Sequence, residues 1–393
     1  MADTAALPRP GFARTASAVD DTRAPIVQRR RGGACVEPAF VEAWTELGRT
    51  ASEPNPFFEP WYLLPSLRYL DPVGLTELVT VERDGQLLGL VPIGRDWNYY
   101  RRPIPNLRTW AHENCFLGAP LVAKGHERAF WRALLDWADR QSGAALFLHL
   151  VHLPLNGPLH EALVQVVGEQ GRAAGLVHRE ERAMLASELS AEDYLEASLS
   201  GKKRKELRRQ FTRLAELGDL RFTREDTCAG LGRWMDEFLA LEHSGWKGSA
   251  GSALSSHFST EAMFRDALAG AAKAARLERI TLWLNDQPVA MLVNFLTAPG
   301  AFSYKTAFDE RYSRFSPGVL LQRENLDLLN RPEIVWCDSC AAADHPMIDH
   351  LWRERRPVGR VSIAIGGTVR RALFAPLLAL ELRGGPSGLV QES

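Results

Sequence analysis

The chain has 393 residues, 46% of them hydrophobic, which is enough for two or three ordinary domains and excludes wholesale disorder. Its formal net charge of -1 provides no overall attraction to nucleic acid or an anionic membrane, so DNA is not expected as a partner and a polyanion would have to meet a local basic patch. Five cysteines (Cys35, Cys115, Cys228, Cys337, Cys340) are odd in number and lack the spacing of a disulfide framework, which fits a reducing cytoplasm.

Residues 1–35 are rich in Ala, Pro, Thr and Arg without a continuous apolar run, and read as a disordered arm rather than a signal peptide. Residues 39–49 and 60–70 show the three- and four-residue apolar spacing of helices, for example Phe40, Trp44 and Leu47. The period then changes. Residues 75–83 and 86–93 are β-rich runs joined by Asp84-Gly85, a strong hairpin signal. After an aromatic, Pro-containing loop over 100–120 come a helix (127–140), a strand (145–150), a helix (159–170) and a strand (176–186).

About two hundred residues later the order recurs. Helices over 229–243 and 261–275 lead into a hairpin of 277–284 and 289–296, whose turn is Asn285-Asp286-Gln287-Pro288. "VERDGQLLGLVPI" and "LWLNDQPVAMLVNF" share turn position and apolar pattern, which predicts a duplicated α/β unit. In the second copy a strand over 302–308, a helix over 318–329 and a strand over 334–338 follow. The expected organisation is a first unit at 36–188, a second at 189–383, to which the family resemblance given below assigns the donor and catalytic site with the first unit's copy degenerate, and a flexible tail at 384–393. No stretch reaches the roughly 18 to 20 apolar residues of a membrane-spanning helix, leaving peripheral contact with the inner membrane face as the closest approach to a bilayer.

Between the units lies a basic amphipathic helix, "GKKRKELRRQFTRLAELG", with Leu207, Phe211, Leu214 and Leu217 on one face. Lys202, Lys203 and Arg209 belong to a run of seven basic residues against Glu206, read either as a solvated face or as a patch for an anionic ligand such as CoA phosphates, a glycan or lipid headgroups.

The densest reactive cluster is "FSYKTAFDERYSRFSPGVLLQRENL", a strand, loop and helix. Ser316-Pro317-Gly318 marks the helix start, whose free N–H groups suit a pyrophosphate with Arg311 and Arg314 as counter-charges. A second cluster, "VWCDSCAAADHPMIDHLWRERR", places Asp338 at a strand end and His345 before Pro346 at an expected helix start; these residue types suit proton transfer near neutral pH. The C-x-x-C of Cys337 and Cys340 has no further ligands at short spacing, so no metal is expected. There is no G-x-S-x-G, Walker loop, strand-following G-x-G-x-x-G or H-E-x-x-H, which disfavours serine hydrolases, NTPases, dinucleotide oxidoreductases and zinc proteases.

"GKKRKELRRQFTRLAELGDLRF", "LEHSGWKGSAGSAL", "SYKTAFDERYSRFSPGVLL" and "WCDSCAAADHPMIDHLWRERR" resemble the BioF2-like/CelD-like acetyltransferase family of the GNAT superfamily, over about residues 36–374 and most strongly after Ser200. The resemblance implies an α/β fold of two tandem GNAT-like domains, mixed sheets flanked by helices, related to the Fem peptidyltransferases. It further implies an acyl-CoA co-substrate, acetyl or longer, and an amine acceptor in cell-envelope biogenesis: an amino sugar of a polysaccharide or the amine of a sphingoid base in sphingolipid synthesis. The superfamily's R/Q-x-x-G-x-G/A loop is represented here by "RYSRFSPG".

N-acyl transfer needs a base for the amine proton, donors for the thioester oxyanion and a proton for the leaving thiolate. The resemblance assigns oxyanion donors to the backbone of residues 303–306. His345, Asp338 and Asp309 are the candidate bases and Tyr304 the proton donor. Lys305, Thr306, Arg311, Arg314, Ser316 and Gly318 are the donor-binding candidates, with Lys305 alternatively meeting the acceptor. Glu242, Trp246 and Lys247 of "LEHSGWKG" are placed on the acceptor side, Trp246 being equally suited to a core. Two rival readings remain: a Fem-like aminoacyltransferase using aminoacyl-tRNA, and a non-catalytic envelope-assembly scaffold.

Overall fold

A computed structural model describes residues 24–383. The first half runs through β1 (Ile26–Arg30), α1 (Pro38–Thr50), α2 (Pro60–Leu70), β2 (Glu77–Arg83), β3 (Gln86–Asp96), β4 (Asn106–Thr109), β5 (Leu121–Val122), α3 (Glu127–Gln141), β6 (Phe147–Pro154), α4 (Pro158–Glu169) and β7 (Ala174–Leu185). Two linking helices follow, α5 (Ala191–Ser198) and the basic α6 (Gly201–Ala215). The second half then repeats the pattern with β8 (Leu220–Glu225), α7 (Leu231–Ser244), the short α8 (Trp246–Ser249), α9 (Phe258–Lys273), β9 (Leu277–Leu284), β10 (Gln287–Thr297), β11 (Gly300–Phe308), α10 (Pro317–Glu324), β12 (Trp336–Asp338), β13 (Glu354–Ala364) and α11 (Thr368–Leu382).

The thirteen strands form one sheet in the order β1-β2-β3-β4-β6-β13-β7-β12-β11-β10-β9-β8, with β5 pairing β3. Read inward from either edge, the pairing is the same: antiparallel steps, one parallel step (β4 with β6, β11 with β12), then antiparallel steps to the centre. The last strand of each half sits against the other half, β7 on β12 and β13 on β6. The halves thus exchange their final strands across a pseudo-twofold axis between β7 and β13, and one continuous sheet spans the chain.

The hairpin repeat is exact in a detail the side-chain pattern does not encode. Asp84 and Gly85 both have positive φ, as do Asn285 and Asp286, so each turn has two residues, and the register slips at the third residue of the second strand, Leu88 and Val289 respectively. Bulges of this kind bend and twist a sheet locally. The equivalent helices α2 and α9 pack face to face where Gly270 lies against Trp61; a Cβ at Gly270 would come within 2.9 Å of the Trp61 Cβ. Arg68 and Tyr69 both reach Asp266 across this contact.

Several expectations are corrected. Ile26–Arg30 of the anticipated arm pairs with β2 as an edge strand, whereas residues 1–23 and the tail at 384–393 lie outside the described residues. The helix expected over 318–329 stops at Glu324 and tightens into a 3₁₀ turn, Asn325–Asn330. No helix begins at His345; residues 344–351 form successive turns. Among the described residues no helix is long and apolar enough to cross a membrane, and no cluster suited to a metal ion occurs.

Candidate active site

The parallel pairing of β11 with β12 lasts three residues, Gly300 with Trp336, Ala301 with Cys337 and Phe302 with Asp338. Glycine is required at 300 because a Cβ there would lie 2.4 Å from the Trp336 ring. After Asp338 the chain turns away through Cys340, whose φ is 53° and whose amide is held by Asp338 Oδ1 at 2.8 Å. From Ser303 onward β11 therefore has no strand on that side, and the sheet splays open. On the opposite side Ser303 pairs with Asn294 and Lys305 with Val293, which leaves Tyr304 as a bulge residue at the mouth of the splay. Bulges recur beside active sites because they free and re-aim backbone groups.

Helix α10 starts beside this opening. Ser316 is its N-cap but sits in the left-handed region (φ 52°, ψ 50°) and its side chain caps nothing. Val319 and Leu320 donate to the Ser316 carbonyl and Pro317 has no N–H, so the Gly318 amide is the first-turn donor left without a cap. A Cβ on Gly318 would come within 2.6 Å of Met347 Sδ and 3.4 Å of the Phe308 ring. The position is a tight cradle with a free donor at a helix N-terminus, which is suitable for an anion.

Elements far apart in sequence bring Glu242, Lys247, Lys305 and His345 into electrostatic contact. Glu242, at the end of α7, is buried and fully engaged: one carboxylate oxygen accepts from Lys247 Nζ at 2.9 Å and the other from the Leu254 amide at 2.9 Å. Lys305 Nζ lies 5.7 Å from the ring centres of both Phe116 and Tyr304, and among the described residues no carboxylate or carbonyl accepts from it. Burial, reinforced by the charge of Lys247, pushes Lys305 down to about 8. Burial and Lys247 likewise lower His345, which stays neutral and whose Nδ1 is buried without a partner. The first half contributes to the same region. His112, in the loop before β5, is driven down to about 3 by burial and by the Lys305 charge.

Three proton-transfer assignments do not survive this geometry. Asp338 is completely buried, with Oδ2 on Arg356 at 3.1 Å and Oδ1 on the Cys340 amide; it is a structural anchor, because both oxygens are occupied. Asp309 caps the 3₁₀ turn Glu310–Phe315 and grips Arg311 through both oxygens; burial raises its carboxyl, but the Arg311 bonds prevail and hold it below the ordinary range. Arg311 is correspondingly spent on Asp309. Tyr304 is buried among Phe57, Tyr62, Phe116 and Phe295, stacked on Phe295, and burial drives its phenol far up. Since Tyr62 donates to the Asn114 carbonyl, the 3.1 Å bond between the two phenols uses the Tyr304 proton.

The remaining expected residues lie around the splay or beside it. Ser303 and Thr306 receive long bonds from Gln322 of α10, at 3.4 and 3.3 Å. Arg314 stacks on Phe315 at 4.6 Å, and its carbonyl accepts from Gln210, so α6 lies against the loop that carries Arg311 and Arg314. Trp246 is exposed rather than core, its amide donating to Glu310. Lys202, Lys203 and Arg209 lie on the exposed face of α6, with Arg209 paired to Glu206. Sequence reasoning missed Arg356, Gln322, Met347, Tyr62 and His112. Each is set by long-range packing, and only the amide–hydroxyl pairing of Gln322 could have been sought, one turn inside a predicted helix. Cys337 and Cys340 are buried thiols raised far above their usual range by burial, hence inert.

Residues 201–345 match the family described as acetyltransferase (GNAT) domain. The fold is shared with solved structures of low identity. FemX matches with a TM-score of 0.53 and 10% identity, over 86% of this chain and 98% of that one. A conserved Bacteroides thetaiotaomicron protein of unknown function gives 0.54 and 13%, over 84% and 98%. The DUF2156 C-terminal domain of a protein assigned as a lysylphosphatidylglycerol synthetase from Agrobacterium fabrum gives 0.51 and 14%, over 89% and 98%. No curated protein matches. Residues 201–345 of the second half thus match a GNAT acetyltransferase domain, and the chain shares the fold of FemX. The GNAT domain match over these residues supports an acyltransferase.

Proposed function

We propose that the protein transfers an acyl group from acyl-CoA to an amine acceptor used in building the cell envelope. The observation that carries this reading is the splay of β11 from β12, with a bulge at Tyr304 and the uncapped Gly318 amide at its mouth. Gly318 would hold a donor phosphate, and the freed backbone near Tyr304 would face a developing oxyanion; such a donor is typically worth about 10²- to 10³-fold. Bound acyl-CoA would supply the activated thioester.

His345 is the base in this proposal. It is neutral at pH 7, its Nδ1 has no protein partner, and a positioned base contributes about 10²- to 10⁴-fold. Burial, reinforced by the charge of Lys247, lowers both His345 and Lys305, while Glu242 fixes Lys247. Lys305 then offers a poorly solvated cation to the carbonyl or to an anionic acceptor group. The envelope role draws on the fold shared with FemX and with the assigned lysylphosphatidylglycerol synthetase domain; an amino sugar and a sphingoid base are the acceptors to test first. A cytoplasmic protein touching the inner membrane face fits this role.

The test is thiol release from acetyl-CoA and from a long-chain acyl-CoA with a panel of amino sugars and sphingoid bases. Amine-dependent release that His345→Ala lowers at least tenfold is expected. No release with any amine, together with transfer from aminoacyl-tRNA, would replace this reading by the Fem-like one, in which α6 meets RNA phosphates.

A further inference from the structure

The first half contains a polar cavity of about 310 Å³ that the acyl-transfer reading does not use. It opens among β3, β4, β6 and β13, so both halves of the sequence build it. Three arginines line it, Arg101, Arg108 and Arg360, against a single carboxylate, Asp96. Asp96 is already engaged by Arg108 at 3.2 Å. Among the described residues Arg360 has only the Tyr100 hydroxyl, at 2.6 Å, and no carboxylate within ion-pair distance.

The back wall holds His149 and His152. A register slip between β6 and β13 leaves Val151 and His152 opposite Arg360, and His152 adopts φ 49°, a conformation that costs a non-glycine residue about 1 to 3 kcal/mol. Such strain persists only where surrounding structure enforces it, and here it turns His152 beside Arg360. His152 Nδ1 accepts from Arg182, which leaves its Nε2 as an N–H donor without a protein acceptor. His149 is almost fully buried and bonds Ser362 through Nδ1, so its Nε2 too is unpartnered. Burial, with Arg108 and Arg360, pushes His149 down to about 3; burial and Arg182 put His152 at about 4. The wall is thus kept neutral mainly by burial, with Arg108, Arg182 and Arg360 adding to it and Glu180 opposing it only at His152.

We infer that this cavity is a binding site for a phosphate-type anion, carried by a small phosphomonoester or presented as a lipid phosphate headgroup. Its volume lies at the lower end of the range for small-molecule pockets, enough for a phosphate and a short organic group. Planar guanidinium groups grip phosphate through paired N–H donors, and the histidine Nε2–H supplies another. The loop over 110–118 places Ala111 in this cavity and Phe116 beneath Lys305, joining the anion site to the second-half site by one short segment.

The inference stands apart from acyl transfer, and its test keeps the two separate. Inorganic phosphate and glycerol 3-phosphate are titrated calorimetrically into the full chain at low salt. Saturable binding is expected, weakened about tenfold or more by Arg360→Gln, since a charge-assisted hydrogen bond is worth about 1.5 to 3 kcal/mol. Arg101→Gln, an exposed change that spares the fold, should weaken it less. Gly318→Asp should leave it unchanged. Co-sedimentation with phosphatidylcholine vesicles containing phosphatidic acid, lost in Arg360→Gln, would identify the lipid headgroup; binding of the soluble probes alone would identify a free phosphomonoester. Absence of binding to every probe, or binding that neither arginine change weakens, would overturn the inference.

Discussion

The two places where the sheet changes from antiparallel to parallel pairing, β4 with β6 and β11 with β12, are equivalent under the pseudo-twofold and are filled in opposite ways. In the first half the loop after β4 returns into the opening. Gly118 donates to the His152 carbonyl and approaches β6 so closely that a Cβ would lie 1.9 Å from the Val151 oxygen, while Asn55 bonds the carbonyls of Leu117 and Ala119. β3 and β4 pair without a slip. In the second half the chain runs from β11 through the 3₁₀ turn Glu310–Phe315 into α10, the strand bulges at Tyr304, and the Gly318 amide is left uncapped. The two halves share a framework, whereas the bulge and the uncapped helix start occur at the second opening. We therefore propose that the donor binds only the second half.

The comparison is broken most sharply at α10. Gly318→Asp places a carboxylate at a helix N-terminus that should receive phosphate and presses on Met347. It should weaken CoA binding at least 100-fold by calorimetry, with unfolding transitions showing that the thioether end has yielded and the fold is intact. Unchanged affinity would move the donor elsewhere.

Asp338→Asn separates anchoring from chemistry. Removing one member of a buried pair leaves Arg356 uncompensated, and a stability loss of about 3 to 5 kcal/mol by denaturant unfolding is expected. A fully stable variant with a collapsed rate would instead restore Asp338 as a base.

Lys305→Met probes the desolvated cation. The folded state disfavours the charged lysine, so wild type carries a penalty that is full below about 8 and fades as pH rises from there to the ordinary lysine value near 10.5. The variant should melt higher than wild type at neutral pH, with the gain disappearing by about pH 10.5, while turnover falls. A variant less stable at neutral pH would mean that Lys305 is satisfied as a cation.

The smallest effect is expected on α6. Reversing Lys202, Lys203 and Arg209 to Glu should raise the apparent KM for acyl-CoA a few-fold, and added salt should mimic the change in wild type, because exposed charges are screened over about 8 to 10 Å. Normal kinetics without salt sensitivity would leave α6 as a solvated face, consistent with the Arg209–Glu206 and Arg204–Glu196 pairs.

The amphipathic helices and both hairpins were legible because their patterns are local: Asp84-Gly85 and Asn285-Asp286 announce two-residue turns, and α2 spans the residues its spacing predicts. The central strand β13 was not legible. "ERRPVGRVSIA" carries four charges and a proline, a composition that suits a loop, yet Arg356 is buried against a carboxylate from another element, Asp338, and Arg360 lines a cavity, neither of which the local pattern announces. The same limit applied to the site. Glu242, Lys247, Lys305 and His345 were singled out from residue type and motif and lie in one region, but Asp338 and Asp309 looked free to act as bases because sequence does not reveal that arginines already hold them.

The most direct measurement of the central claim is amide hydrogen exchange of the full chain with and without acetyl-CoA. Protection should appear in residues 303–320, strongest at the Tyr304 bulge and at Gly318, with the equivalent first-half segment 106–122 unchanged. Protection confined to 106–122, or absent from 303–320 at saturating acetyl-CoA, would contradict the assignment of the donor site to the second splay.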